Sequence, residues 1–188
     1  GSWRRSALSA GALSVKPQPY PLGEPGLWVE RFGTRVFAPA TPALFLDRDG
    51  TINIDTDYPS DPADIVLRGD LVPVIETANR GKIPVVVVTN QSGIARGYFT
   101  EQELNTLHDW MRAELAAEGA IIDDVRYCPH HPAGTVAGYL EDHHWRKPGP
   151  GMIPALMAHW PVRHAGSFCI VVRDTDTQRS ARLPWAFE

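Results

Sequence analysis

Ile83-Pro84-Val85-Val86-Val87-Val88-Thr89-Asn90-Gln91-Ser92 is the stretch on which the fold of this chain turns. An unbroken β-branched run suits a strand buried on both faces, in the middle of a parallel sheet with helices on either side. The run then breaks into four polar residues. In an open parallel sheet the carboxyl ends of the strands form the ligand crevice, so these polar residues stand where chemistry is expected.

A second apolar run, Ala43-Leu44-Phe45-Leu46, ends at Asp47 in the same way. Between the two runs, Asp70 is placed to cap a helix with Leu71, Val72, Val74, Ile75 and Ala78 on its inner face and Gly81 as its stop signal. Thr100 followed by Glu103 is a capping-box pattern, and Leu104, Leu107, Met111 and Leu115 recur at helical spacing before Gly119. A third strand is expected over 121–127, a helix over 151–160 and a fourth strand over 167–172. Short apolar runs alternating with helical patterns predict an α/β fold, a central parallel sheet built from crossover units.

The chain has 188 residues, 43% hydrophobic and 21% charged, with a net charge of -4. That is ordinary globular composition, and it offers no basic field for nucleic acid or an anionic membrane. No run approaches the ~20 apolar residues of a membrane helix. Two cysteines, Cys128 and Cys169, are too few for a disulfide framework and fit a reducing, cytoplasmic setting. Gly1 and Ser2 resemble a cloning scar. Arg4 and Arg5 precede a weakly apolar stretch that Ser9, Gly11 and Ser14 interrupt, so residues 1–27 are expected to be a tail rather than a secretion signal. Pro17, Pro19, Pro21 and Pro25 make 16–26 an extended lead-in unable to hold a regular ladder. One domain is expected over 28–188.

Asp47-Arg48-Asp49-Gly50-Thr51 sets two carboxylates two residues apart, and in extended backbone such side chains project to one side. One can attack phosphorus while the other protonates the leaving oxygen and later activates water. Gly50 lets the backbone turn away beside them. Two acids in a solvated turn are the bland alternative; it loses ground because the pair follows a wholly apolar strand.

Phe45 through Asn53 resembles the first motif of haloacid dehalogenase phosphatases. Val88 through Gly97 is similar to their second motif, and Arg146-Lys147-Pro148 to their third. The agreement continues through Gly97-Tyr98-Phe99-Thr100 to Tyr127-Cys128-Pro129-His130-His131-Pro132. There it resembles the branch that removes the 7-phosphate of D-glycero-D-manno-heptose 1,7-bisphosphate, with the histidinol-phosphate phosphatases as close relatives. The resemblance covers 43–180. It implies a three-layer fold with little or no cap domain, and a monomeric magnesium-dependent enzyme acting on a small sugar phosphate in lipopolysaccharide heptose biosynthesis.

The same resemblance implies Asp47 as the phosphorylated nucleophile, Asp49 as general acid/base, and the Asp49 carbonyl as a magnesium ligand beside Asp47. Thr89 and the amide of Asn90 would hold phosphoryl oxygens, with Lys147 offsetting their charge. Asp55, Thr56, Asp57, Tyr58, Gln91, Ser92 and Arg146 match positions near the substrate. Asp57 and Tyr58 read equally well as turn residues before Pro59.

Two departures stand out. A structural zinc loop in the resembled branch uses four Cys and His ligands, but here only Cys128, His130 and His143 fall on them; the fourth position holds Trp145, and an indole cannot ligate zinc. A metal-free, histidine-rich loop is therefore favoured. In the fourth motif, aligned without gaps, Val172 stands where the resemblance implies a magnesium-binding Asp, leaving Asp174 or Asp176 as substitutes. Weak magnesium binding follows. What comes after Asp176 does not match the resembled pattern either, as in a truncated end. Three functions are thus expected: the heptose bisphosphatase, a histidinol-phosphate phosphatase, or a catalytically impaired phosphate-binding protein.

Overall fold

The computed structural model describes residues 20–21, 28–31, 35, 37–157 and 162–170. Val172, Asp174 and Asp176 lie outside the described residues, as does the end of the expected fourth strand. In chain order the strands are β1 (Tyr20–Pro21), β2 (Trp28–Arg31), β3 (Leu44–Leu46), β4 (Val85–Asn90), β5 (Asp124–Cys128) and β6 (Phe168–Ile170). The helices are α1 (Val72–Arg80), α2 (Gly93–Arg96), α3 (Glu101–Ala117) and α4 (Met152–Met157).

The strands form one sheet in the order β1-β2-β5-β4-β3-β6. β5, β4, β3 and β6 run parallel, while β1 and β2 are antiparallel additions at one edge. Valines 85–88 are fully buried at the centre, as an unbroken β-branched run requires. Alternate side chains serve opposite faces. Leu44, Leu46, Val85 and Val87 join Ile75 of α1 and Leu104, Leu107, Met111 and Leu115 of α3 in one core. Ala43, Phe45, Val86 and Val88 join Met152, Ile153 and Leu156 of α4 in the other. The result is the three-layer α/β architecture. Between β3 and α1 the chain carries two short 3-10 turns, Pro62–Asp64 and Gly69–Leu71, in place of a cap domain.

Asp123 ties β4 to β5 at their amino ends. It is buried, its Oδ2 accepts the Val85 N–H at 2.8 Å, and its own N–H donates to the Val85 carbonyl at 2.8 Å. Arg35 meets the same carboxylate at 2.8 and 3.1 Å.

Several expectations need correction. Asp70 does not cap α1: it follows Arg68, which holds its carboxylate at 2.8 and 3.2 Å, and Leu71 is the cap residue without a side-chain bond. Val74 is exposed rather than on the inner face. Gly81 does close the helix, donating to the Thr77 and Asn79 carbonyls, but at φ -73; the left-handed position is Lys82 at φ 55. Within the lead-in, Tyr20 and Pro21 pair with Val29 and Trp28. Proline is tolerated there because the strand is an edge. The capping box at Thr100 and Glu103 is present with both of its bonds.

Candidate active site

β3 delivers Asp47 at its carboxyl end, where the Asp47 N–H donates to the Ile170 carbonyl of β6 at 3.1 Å. The chain bends at Arg48, whose carbonyl collects the N–H groups of Thr51, Ile52 and Asn53 at 3.1, 2.8 and 3.2 Å. Gly50 sits in this tight turn at φ 75, a conformation that favours glycine. Asp47 and Asn90 are only partly buried, whereas Arg48, Thr51, Thr89 and Gln91 are buried.

Lys147 meets Asp47 across the strand ends. Its Nζ lies 2.5 Å from Asp47 Oδ2 and donates to the Val88 carbonyl at 3.1 Å. Asp47 Oδ1 accepts the Arg48 N–H at 2.8 Å. The main chain of Lys147 is clasped by Asn90: Nδ2 donates to its carbonyl at 3.0 Å and Oδ1 accepts its N–H at 2.9 Å. A cation is thereby fixed beside a carboxylate at the end of the central strand.

Asp49 is held by a different set. The Arg48 guanidinium grips it through Nε and a terminal nitrogen, both at 2.9 Å. Asn53 Nδ2 donates at 3.3 Å and Gln91 Nε2 at 2.9 Å. Gln91 Nε2 also donates to Thr89 Oγ1 at 3.0 Å. Since Thr89 Oγ1 accepts there, its own proton stays available for an incoming oxygen. Gln91 thus links the Asp49 carboxylate to the end of β4, while Lys147 links Asp47 to it.

Ser92 opens α2, whose short turn is closed by Gly97 at φ 75. Arg146 donates to the His130 carbonyl at 3.4 Å. Asp55, Thr56, Asp57 and Tyr58 are exposed in the loop after the turn: Asp55 accepts the Asp57 N–H, Thr56 donates to the Asp64 carbonyl, and the Tyr58 ring meets Tyr98 edge-on at 5.0 Å. Asp57 and Tyr58 both adopt positive φ, 52 and 54. They are turn residues as well as candidate contacts.

The zinc assignment is not supported. Among the described residues no group of three or more His, Cys, Asp or Glu is arranged to hold a metal ion. His130 and His143 stack ring on ring at 4.9 Å, and His143 Nδ1 accepts the Trp145 N–H at 3.1 Å. Burial pushes the Cys128 thiol up to about 11. Trp145 fills the core on the α4 side instead of facing a metal.

Arg48 and Asn53 were not marked as site residues by the sequence. Strand alternation puts residue 48 opposite its neighbours; the bend returns it to Asp49.

The chain was next compared with known proteins. A D-glycero-beta-D-manno-heptose-1,7-bisphosphate 7-phosphatase of Mesorhizobium japonicum is 58% identical over 135 residues, 72% of this chain and 62% of that protein. Its counterpart in Rhodopseudomonas palustris is 43% identical over 149 residues, 78% of this chain and 83% of its own. The chain belongs to this phosphatase family. The family is one of phosphoric monoester hydrolases, and the chain spans less than two thirds of the Mesorhizobium japonicum member. Among solved structures, a haloacid dehalogenase-like phosphatase of Mesorhizobium loti superposes with a TM-score of 0.76 at 53% identity, covering 81% of this chain and 73% of that one. The D,D-heptose 1,7-bisphosphate phosphatase of B. bronchiseptica, solved with magnesium and phosphate, gives 0.61 at 32% identity, with 70% of each chain covered. No family model matches the chain.

Proposed function

We propose that this member of the family hydrolyses the 7-phosphate of D-glycero-D-manno-heptose 1,7-bisphosphate through an aspartyl-phosphate at Asp47. The observation that carries this is the Lys147–Asp47 contact of 2.5 Å at the end of the central strand, with Thr89 and Gln91 alongside. A carboxylate beside a fixed cation, at a crevice that offers a free hydroxyl proton, suits attack on a dianionic phosphoryl group.

In the first step an Asp47 oxygen bonds to phosphorus and the phosphorus–sugar oxygen bond breaks; Asp49 gives that oxygen its proton. In the second, Asp49 takes a proton from water, whose oxygen attacks phosphorus and releases phosphate with the Asp47 carboxylate restored. Lys147, Thr89 and the Asn90 amide hold the phosphoryl oxygens. Arg48, Asn53 and Gln91 aim the Asp49 carboxylate. The Asp47 carboxylate and the Asp49 carbonyl are hard oxygen donors that fit a magnesium ion, which would neutralise phosphoryl charge when bound.

The test is release of phosphate from the heptose bisphosphate and from histidinol phosphate, each with and without magnesium. Magnesium-dependent release from the bisphosphate, lost in Asp47→Asn, is expected. Preference for histidinol phosphate would replace the substrate. Val172, standing for a metal-ligating Asp in the fourth motif, favours a weakened magnesium site. Turnover should therefore be low and rise at least tenfold in Val172→Asp; an unchanged rate would mean the metal is held in another way.

A further inference from the structure

The chain between β5 and Lys147, residues 129–146, contains no helix or strand, and a loop of this length is uncommon unless it is functional or tied down. Zinc does not tie it: no group of three or more metal-ligating side chains is assembled among the described residues, and Trp145 is buried in the core. Hydrogen bonds to the two helices that follow β4 hold it instead.

The first tie is to α2. The Thr135 and Val136 N–H groups both donate to the Ala95 carbonyl, at 2.7 and 3.0 Å, and Thr135 Oγ1 donates to the Arg96 carbonyl at 3.2 Å. Gly134 makes this approach possible, since a Cβ there would stand 2.5 Å from the Ala95 oxygen. The second tie is to α3. The Tyr139 hydroxyl donates to Glu101 Oε1 at 2.9 Å, at the first residue of that helix. Burial, then Glu101 itself, pushes the Tyr139 pKa up to about 12, so the hydroxyl stays a donor.

Tyr139 also organises the mouth of the loop. Its carbonyl accepts the His131 N–H at 2.9 Å, and its ring meets the buried His130 ring edge-on at 5.7 Å. The His130 carbonyl in turn accepts from Arg146 at 3.4 Å, and the next residue, Lys147, reaches Asp47. A series of contacts therefore runs from Glu101 at the start of α3, through Tyr139 and His130, to the residue before the site's cation. Asn90 fixes the main chain of Lys147 from the strand side, and this series fixes it from the loop side.

We infer that Tyr139, through its bond to Glu101, is a positioning residue that holds the 129–146 loop in place of a metal, so that Lys147 is presented to Asp47. This inference rests on the proposed phosphatase reading. Without the bond the loop keeps its two ends, at β5 and at the Asn90 clasp, but loses its hold on α3. The ammonium then gains freedom at the moment when phosphoryl charge must be met.

The experiment measures kcat and KM for D-glycero-D-manno-heptose 1,7-bisphosphate in the wild type, Tyr139→Phe, Glu101→Leu and Glu101→Gln, with hydrogen exchange of the backbone amides alongside. In Tyr139→Phe and Glu101→Leu, kcat is expected to fall about tenfold with KM within about twofold. Glu101→Gln, whose amide oxygen still accepts from Tyr139, should keep the wild-type kcat. The Thr135 and Val136 amides should exchange faster in Tyr139→Phe, while those of valines 85–88 stay as protected as in the wild type. A wild-type kcat in Tyr139→Phe, a loss in Glu101→Gln as large as in Glu101→Leu, or core amides that open along with the loop would each overturn the inference. So would stoichiometric zinc in the purified protein. Wild-type protein that does not hydrolyse the bisphosphate would refute the functional reading; Thr135 and Val136 amides that exchange no faster in Tyr139→Phe would refute the anchoring of the loop as well.

Discussion

Asn90 spends both of its side-chain groups on the main chain of one residue, Lys147. A flexible lysine is thereby presented at a fixed height beside Asp47, which is worth rate because small misplacements of a charged group are costly. Asn90→Ala keeps the ammonium and removes its mount, so kcat should fall by up to about 100-fold with a smaller change in KM. Steady-state kinetics on the bisphosphate checks this, and a wild-type kcat would show the clasp to be idle. The convergence of Asp47, Asp49, Thr89, Gln91 and Lys147 at the strand ends was legible beforehand because each follows an apolar run or sits in a resembled motif. Arg48 was not, since its inward turn depends on a bend that period-two alternation does not describe.

At the scale of elements, α3 was the most transparent. Thr100 Oγ1 accepts the Glu103 N–H at 3.2 Å, and Glu103 accepts the Thr100 N–H at 2.7 Å. Thr100→Ala should cost about 1 kcal/mol of unfolding free energy by urea titration, and a loss below about 0.3 kcal/mol would leave the box without weight. The start of α1 was misread for a local reason. Asp70 has cap chemistry, but Arg68 two residues earlier competes for its carboxylate, and the 3-10 turn at Gly69–Leu71 begins the helix without it. The small edge strands were invisible because Tyr20–Pro21 and Trp28–Arg31 have no alternation to mark them.

Across the molecule, stability carries a pH signature centred on Glu101. Burial raises its pKa from the ordinary 4.5 to about 7, while the Tyr139 hydroxyl, donating at 2.9 Å, pulls the other way. A raised carboxyl is favoured by folding only while protonated: its contribution is full below 4.5 and is lost as pH climbs through about 7. Glu101→Gln should therefore flatten the decline in stability over that window, read as urea midpoints at about pH 5 and about pH 8. A decline as steep in the variant as in the wild type would assign the slope to another group. The fold as a whole was readable because valines 85–88 admit one environment, a strand covered on both sides.

Asp47, the proposed nucleophile, hangs by its own amide from Ile170 of β6, a residue 123 positions further on. The proposed chemistry on β3 is thus anchored on a strand that is synthesised well after it. Until β6 has slid into place, the central strands can assemble while Asp47 still lacks its seat. A perturbation that peels β6 away would silence the enzyme before it melted the core.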